Sequence, residues 1–202
     1  MKTLYPHVET TGRYLFRETP EHPGQPHLAR LAWVIADGDK IVSEWSNLIF
    51  PAPGYVYEPD AVAGHGITFD AAMKRGIPIA SAMTQFVGAL ESVDRVCAFN
   101  MDFVEKVLDR SAFECGLNWE RLFAQHTMAC AMRRATDIVQ KPRQAPGGGY
   151  SWPKFGEAYW FFANMDLPPM DMDPVERGKA LARAVYEIDQ GILYIQRTTP
   201  HE

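Results

Sequence analysis

Three strand-like segments in the first quarter of the chain constrain its fold more than any other feature. Residues 2–8 form a mainly apolar run, and the apolar runs 28–36 and 41–49 follow, with Asp37-Gly38-Asp39-Lys40 between them. Aspartate and glycine between two such runs are typical of a β-hairpin turn. Pro6 has no amide N–H to give to a sheet, so a bulge or a shortened strand is expected beside His7.

The remaining segments alternate between helical and strand-like patterns. They are a short helical turn at 59–63, a helix at 79–92, a strand at 93–99, a helix at 103–115, a strand and helix within 123–134, an aromatic helix at 152–164 and a long final helix at 175–197. Polar, proline-rich or glycine-rich loops separate them at 13–27, 51–54, 140–149 and 167–174. This order predicts one α/β domain over residues 1–202.

Composition narrows the class of protein further. No apolar run approaches the roughly 18–20 residues of a membrane span, and the N-terminus has no apolar signal-peptide core. Three cysteines outside CxxC spacing indicate a reducing compartment, so a cytoplasmic protein without a membrane is expected. A formal net charge of −5 argues against coating long nucleic acids, but it leaves room for a short 3′ end in a local basic pocket.

The first candidate ligands for a metal ion or a phosphate lie in the stretch His7-Val8-Glu9-Thr10-Thr11-Gly12. A carboxylate such as Glu9 is a hard oxygen ligand for a divalent cation. The hydroxyls of Thr10 and Thr11 and the amides of the Gly12 turn can donate to a phosphate or sugar. A two-metal site would need a second carboxylate two residues before Glu9, on the same face of the strand, and His7 stands there.

Four short motifs in this order resemble the DnaQ-like, or DEDD (DEDDh), 3′–5′ exonucleases of the ribonuclease H-like fold. They are Glu9-Thr10-Thr11-Gly12, His65-Gly66-Ile67-Thr68, Asn100 with Phe103, and the block from Tyr150 to Tyr159. The resemblance implies a mixed five-stranded sheet flanked by helices. It also implies nucleic-acid contacts from Thr10, Thr11, Gly12, His65, Asn100 and Phe103.

The resemblance further implies a catalytic set that this chain has largely lost. Enzymes of the family hold two cations with four carboxylates and use a histidine as general base. The first aspartate position is His7, the glutamate is Glu9, and the second aspartate position falls on Val104. The histidine expected before Asn100 is replaced by Phe99. The general-base position falls on Gly178 and the last aspartate position on Arg183.

Neighbouring residues offer substitutes, each with a simpler alternative. Asp102 is a helix cap or a ligand, Glu105 and Glu187 are surface residues or ligands, and His7 with Glu9 could hold one transition metal. An active site rebuilt from His7, Glu9, Asp102 and Glu187 is therefore one hypothesis. Arg183 is a fixed positive charge, and we expect it to pair with Glu9 in the pocket rather than point to solvent.

For several other side chains, the sequence leaves two roles open or favours a structural role. His65 orders its loop or touches substrate, and His126 is expected to be structural. The aromatic residues Trp152, Tyr159, Trp160, Phe161 and Phe162 are expected in the core or a subunit interface, with base stacking as an alternative. Arg133, Arg134 and Lys141 could form a local basic rim.

Three functional hypotheses follow. The first is a catalytically impaired pseudo-nuclease that binds a single-stranded nucleic-acid 3′ end or a protein partner, without a cofactor. The second is an active exonuclease with a rebuilt site, which would need Mg²⁺ or Mn²⁺. The third is a structural protein whose pocket is closed by an Arg183–Glu9 pair. A homodimer is possible under each of them.

Overall fold

The computed structural model describes residues 1–143, 149–158 and 173–189. Within these ranges, five strands form one mixed sheet in the order β3-β2-β1-β4-β5. The strands are β1 (Lys2–Thr10), β2 (Leu28–Asp37), β3 (Lys40–Leu48), β4 (Arg95–Ala98) and β5 (Thr127–Cys130). Strands β1, β2 and β3 are antiparallel, and β4 and β5 continue the sheet in parallel with β1. The predicted mixed five-stranded sheet is confirmed.

The hairpin prediction is also confirmed, but the expectation at Pro6 is wrong. Residues 38 and 39 join β2 to β3, and Gly38 has a φ of 63°, a value that glycine adopts at little cost. Pro6 lies opposite Trp33 in unbroken register, and the irregularity falls later, between Glu9 and Thr10. The ladder from β1 to β4 covers only Thr3 and Leu4, so Pro6 lies where β1 is paired with β2 alone. A proline is tolerated at such a one-sided position.

Helices cover both faces of the sheet. Their bounds are α1 (Pro59–His65), α2 (Phe69–Arg75), α3 (Ile79–Glu91), α4 (Met101–Glu114), α5 (Trp119–Phe123), α6 (Ala131–Val139) and α7 (Pro174–Asp189). Residues 155–158 are also helical. Side chains alternate along β1, so Leu4 faces the core beneath α3 and α4, whereas Tyr5 faces α7.

The predicted helices 79–92 and 103–115 correspond to α3 and α4 with shifted ends, and the described part of the predicted helix 175–197 corresponds to α7. Asp102 is not the cap of α4: Asn100 takes that position with a φ of 63°, and Asp102 lies in the first turn. Predictions for 144–148, 159–172 and 190–202 fall outside the described residues, including those for Tyr159, Trp160, Phe161 and Phe162. Among the described helices, none has the length and hydropathy that a bilayer crossing requires.

Candidate functional site

A small cavity lies between β1 and the first half of α7. Its volume is about 80 Å³, and its lining residues are Pro6, His7, Phe99, Phe155, Arg177, Gly178 and Leu181. Helix α7 comes this close to the sheet because Gly178 has no side chain. A Cβ there would lie 2.7 Å from Val34 Cγ2, in contact with a buried strand. The predicted general-base position therefore does lie at the cavity, but it holds a helix–sheet contact.

Glu9 is partnered by two nitrogen-bearing side chains. His7 Nε2 donates to Glu9 Oε1 at 2.9 Å, and Arg177 Nη1 lies 3.9 Å from the same oxygen. Burial by itself would raise the pKa of the Glu9 carboxyl, but the hydrogen bond from His7 and the charges of His7, His65 and Arg177 hold that pKa below its usual value. Glu9 is therefore ionised at neutral pH and compensated within the protein.

The predicted Arg183–Glu9 pair is wrong. The Arg183 side chain is 78% exposed, and its Nε donates to Glu187 on the same helix at 3.1 Å. Gly178 faces the sheet, and five residues further along an α-helix corresponds to about 140° around the axis. Position 183 therefore points away from the sheet, and Arg177, one residue before Gly178, supplies the charge beside Glu9. Arg177 could not be singled out from the sequence, because the rotation of the helix about its axis is set by packing.

The four residues proposed for a rebuilt metal site do not form one group. His7 and Glu9 are in contact, but Asp102 pairs with Arg133 at 2.7 Å and Glu187 pairs with Arg183. Val104, at the second aspartate position, is buried in the core. Glu105 lies on α4, where it contributes to the acidic surroundings of Asp109. In the described part of the chain, no group of three or more histidine, cysteine or acidic residues is placed to hold a metal ion.

These donors do not fit the two divalent cations of the resembled family. Each of those cations needs several hard oxygen ligands, and a two-metal site places them about 3.5–4 Å apart. Beside the cavity, behind His7, lies one carboxylate, that of Glu9, which already accepts from an imidazole and has a guanidinium 3.9 Å away. A divalent cation would have to displace His7 and lie beside the fixed charge of Arg177, which repels it.

The turn after β1 is held together by its own side chains. The Thr10 hydroxyl donates to Gly12 O at 2.8 Å, and the Thr11 hydroxyl accepts from His27 N at 3.0 Å. Both threonines are buried. Their contacts with a nucleotide remain a prediction, and in this conformation both hydroxyls have backbone partners.

His65 and Glu58 complete this turn. His65 Nε2 donates to Thr10 O, and its Nδ1 accepts from Ile67 N, both at 3.0 Å, so both ring nitrogens order the loop. No sequence pattern singled out Glu58 as part of this turn. Its carboxylate accepts from Arg13 N at 3.0 Å and fills the space above Gly12. A Cβ at Gly12 would lie 2.5 Å from that carboxylate, so a larger residue there would have to displace the Glu58 side chain.

An aromatic cluster stands beside the first turn of α4. The Phe103 ring lies 6.4 Å from Tyr14 edge-on and 6.4 Å from Phe16, and Phe16 is 53% exposed. Asn100 adopts the left-handed conformation that starts the helix at this point. Tyr14 and Phe16 were missed because the loop 13–27 was treated only as polar. Two aromatic residues in such a loop are the signal that could have revealed them.

A buried polar network fixes the loop that carries Phe16. Arg110 is 7% exposed; its Nε donates to Glu114 and its Nη1 donates to Pro20 O, each at 2.8 Å. His27 Nδ1 donates to Glu114 at 2.6 Å, and Tyr55 donates to the other carboxylate oxygen at 3.1 Å. The loop is therefore tied to α4 near its middle and at its C-terminal end, which helps to hold Phe16 beside Phe103.

The other predicted side chains have structural contacts. His126 Nε2 donates to Leu90 O at 2.9 Å, which confirms its structural role. Trp152 is 61% exposed, so its placement in the core is wrong. Each member of the suggested basic rim faces a carboxylate, and the pairs are Arg133–Asp102, Arg134–Asp189 and Lys141–Glu157. The rim is therefore largely neutralised.

The sheet order and the flanking helices match the ribonuclease H-like fold of exonuclease I. The chain is similar to exonuclease I in a product-bound structure, with 17% identity and a TM-score of 0.71. It is also similar to Escherichia coli exonuclease I in complex with a dT13 oligonucleotide, with 16% identity and a TM-score of 0.71. A third similar structure is a complex of ExoI with SSB-Ct, at 17% identity and a TM-score of 0.67.

These alignments cover 96% of this chain and 43–45% of the other chains. The chain thus spans less than half the length of the solved structures it matches. No protein-family model matches the sequence, and no curated protein matches it. The similarity confirms the predicted fold, and at these identities it concerns the fold alone.

Proposed function

We propose that this chain binds the end of a single-stranded nucleic acid without metal-dependent cleavage. The observation that carries the proposal is the pairing of Glu9 with His7 and Arg177, where the resembled enzymes hold two cations. Solved structures of this fold include exonuclease I with a single-stranded oligonucleotide, which supports the same class of ligand here. The charge of bound metal ions is the main source of catalysis in such enzymes, and beside Glu9 this chain has instead the fixed charge of the Arg177 guanidinium.

The aromatic cluster supports the nucleic-acid part of the proposal. The exposed ring of Phe16 lies beside that of Phe103 and offers a face on which an unpaired base can stack. Stacking of a base on an aromatic side chain contributes about 1–3 kcal/mol to binding. Phe16 lies beside Phe103 in the first turn of α4, and Phe99, just before the helix, lines the cavity. The stacking surface and the cavity thus both involve the short segment 99–103, where β4 leads into α4.

The activity prediction is a lack of Mg²⁺-dependent or Mn²⁺-dependent trimming above background. Purified protein is incubated with labelled single-stranded DNA and RNA and with each metal, and the products are separated by length. We expect full-length strands at all times, because the chain supplies one of the four carboxylates and has no general-base histidine at position 178. Trimming that disappears in Glu9→Ala would contradict the proposal and favour the rebuilt-site hypothesis.

Binding is tested separately, by fluorescence anisotropy of a labelled oligothymidylate in EDTA. Phe16→Ala should weaken binding about 5-fold to 150-fold, the equivalent of the stacking contribution above. Phe69→Ala is the matched control, since Phe69 is another aromatic residue, 43% exposed, on the separate helix α2. Equal affinities for the wild type and Phe16→Ala would remove the stacking surface from the proposal. A lack of binding by the wild type would favour a protein-binding role instead.

A further inference from the structure

The cavity between β1 and α7 has a chemistry that the resembled metal site does not have. Arg177 and His7 both line it, and three of its other walls are the apolar side chains of Phe99, Phe155 and Leu181. Phe99 and Phe155 meet edge to face at 5.3 Å. A guanidinium is always charged and presents its N–H groups as a planar fork that matches phosphate oxygens. We propose that this cavity is a metal-independent site for a phosphomonoester at the end of a strand.

The size of the cavity favours a terminal phosphate over a nucleoside or an internal phosphodiester. A volume of about 80 Å³ exceeds the roughly 10–15 Å³ that one water needs, but it is far below the roughly 300–1,000 Å³ of pockets that enclose drug-sized ligands. A nucleoside therefore does not fit inside. An internal phosphodiester carries a nucleoside on each side and does not fit either, whereas a terminal phosphate can enter end-on.

Glu9 gives the inference its sharpest test. The carboxylate lies behind His7, which both donates to it and lines the cavity. At a metal site, neutralising this carboxylate weakens binding of the cation. At an anion site the same change removes a nearby negative charge, so Glu9→Gln should strengthen phosphate binding. Glutamine keeps the shape of the side chain and an oxygen that can accept from His7.

The first experiment titrates the full chain with potassium phosphate in EDTA, followed by NMR, with potassium chloride of equal ionic strength as reference. Arg177→Gln should weaken phosphate binding at least 10-fold, and Arg177→Lys, which keeps the charge without the fork, should weaken it less. Arg183→Gln is the matched control, because it removes the same charge from an exposed side chain of the same helix and should change binding less than 2-fold. Thermal melting of each variant checks that it folds.

The second experiment compares three oligothymidylates in EDTA, with a 3′-phosphate, a 5′-phosphate or neither. The inference rests on the proposed function here, and it requires one phosphorylated end to bind at least 5-fold more tightly than the unphosphorylated strand. Arg177→Gln should abolish that preference. The two phosphorylated arms identify which end enters the cavity.

Several results would overturn the phosphate site. They are equal losses in Arg177→Gln and Arg183→Gln, weaker phosphate binding by Glu9→Gln, and binding that appears only with Mn²⁺. Oligonucleotide binding that is insensitive to the end phosphate and to Arg177 would refute this site while leaving the proposed function standing. Phosphate binding at Arg177 without any oligonucleotide binding would do the reverse.

Discussion

At the scale of single residues, the charged groups around Glu9 differ from those of the resembled catalytic set. The resembled catalytic set has four carboxylates that compensate two divalent cations, so its formal charges cancel. In this chain, Glu9 and Arg177 also cancel, and His7 supplies a hydrogen bond in place of a metal bond. The formal charges around Glu9 thus still cancel. In the proposed phosphate site, the group that contacts the ligand is the guanidinium of Arg177.

Val104 stands at a predicted metal-ligand position, and its burial would make an aspartate there costly. Its side chain is 3% exposed and packs in the core cluster between α4 and the sheet. Val104→Asp should therefore lower the unfolding free energy by about 3–5 kcal/mol at pH 7, the usual effect of an unpaired buried charge. The loss should shrink toward pH 4, because a buried carboxyl has a raised pKa and can fold in its protonated form.

Urea unfolding at the two pH values measures this difference. Val104→Ala is the control; it should lose about 2 kcal/mol, and its loss should not depend on pH. A Val104→Asp variant as stable as Val104→Ala at pH 7 would mean that position 104 reaches solvent or a cation, and it would return this residue to the site.

At the scale of elements, the close approach of α7 to the sheet shapes the cavity. Gly178 allows the helix backbone to lie against Val34, and Arg177 is carried to Glu9 by the same approach. A larger residue at position 178 would push the helix away from β1. The histidine that the resembled enzymes use as general base therefore has no room in this packing.

Two glycine substitutions test that packing. Gly178→Ala gains about 1 kcal/mol of helix propensity, but it forces a methyl group against Val34, and overpacking costs about 1–3 kcal/mol. Gly88→Ala in α3 gains the same propensity and meets nothing within 4 Å. We expect Gly88→Ala to raise the unfolding free energy and Gly178→Ala to fall below it by about 1–3 kcal/mol. Equal values in denaturant unfolding would show that α7 is not held against β2 at this point.

Local patterns predicted the elements but not how they face each other. The β-hairpin follows from Asp37 and Gly38, and α3 follows from its apolar spacing, since both signals are contained in neighbouring residues. The pairing of Arg177 rather than Arg183 with Glu9 depends on the rotation of α7, which packing at Gly178 decides. Phe16 could not be placed because its loop is positioned by Arg110, which is distant in sequence.

At the scale of the whole molecule, the chain carries a net negative charge, whereas the candidate site has the fixed positive charge of Arg177. The formal net charge is −5, and the basic side chains Arg133, Arg134 and Lys141 face carboxylates. These three side chains therefore offer a nucleic-acid backbone little uncompensated positive charge. We expect affinity to come mainly from stacking and from one or two phosphate contacts.

This distribution of charge predicts an unusually weak salt dependence of strand binding. Each phosphate that a protein neutralises on a single strand contributes about −0.7 to the slope of log K against log salt concentration. With one or two phosphates held, the slope should lie between about −0.7 and −1.4, measured by anisotropy from low to moderate potassium chloride. Arg177→Gln should bring the slope closer to zero by about 0.7, because it removes one ionic contact, whereas Arg183→Gln should leave it unchanged. A slope steeper than about −3 in the wild type would require at least four neutralised phosphates, and binding would then depend on a basic surface other than the cavity at Arg177.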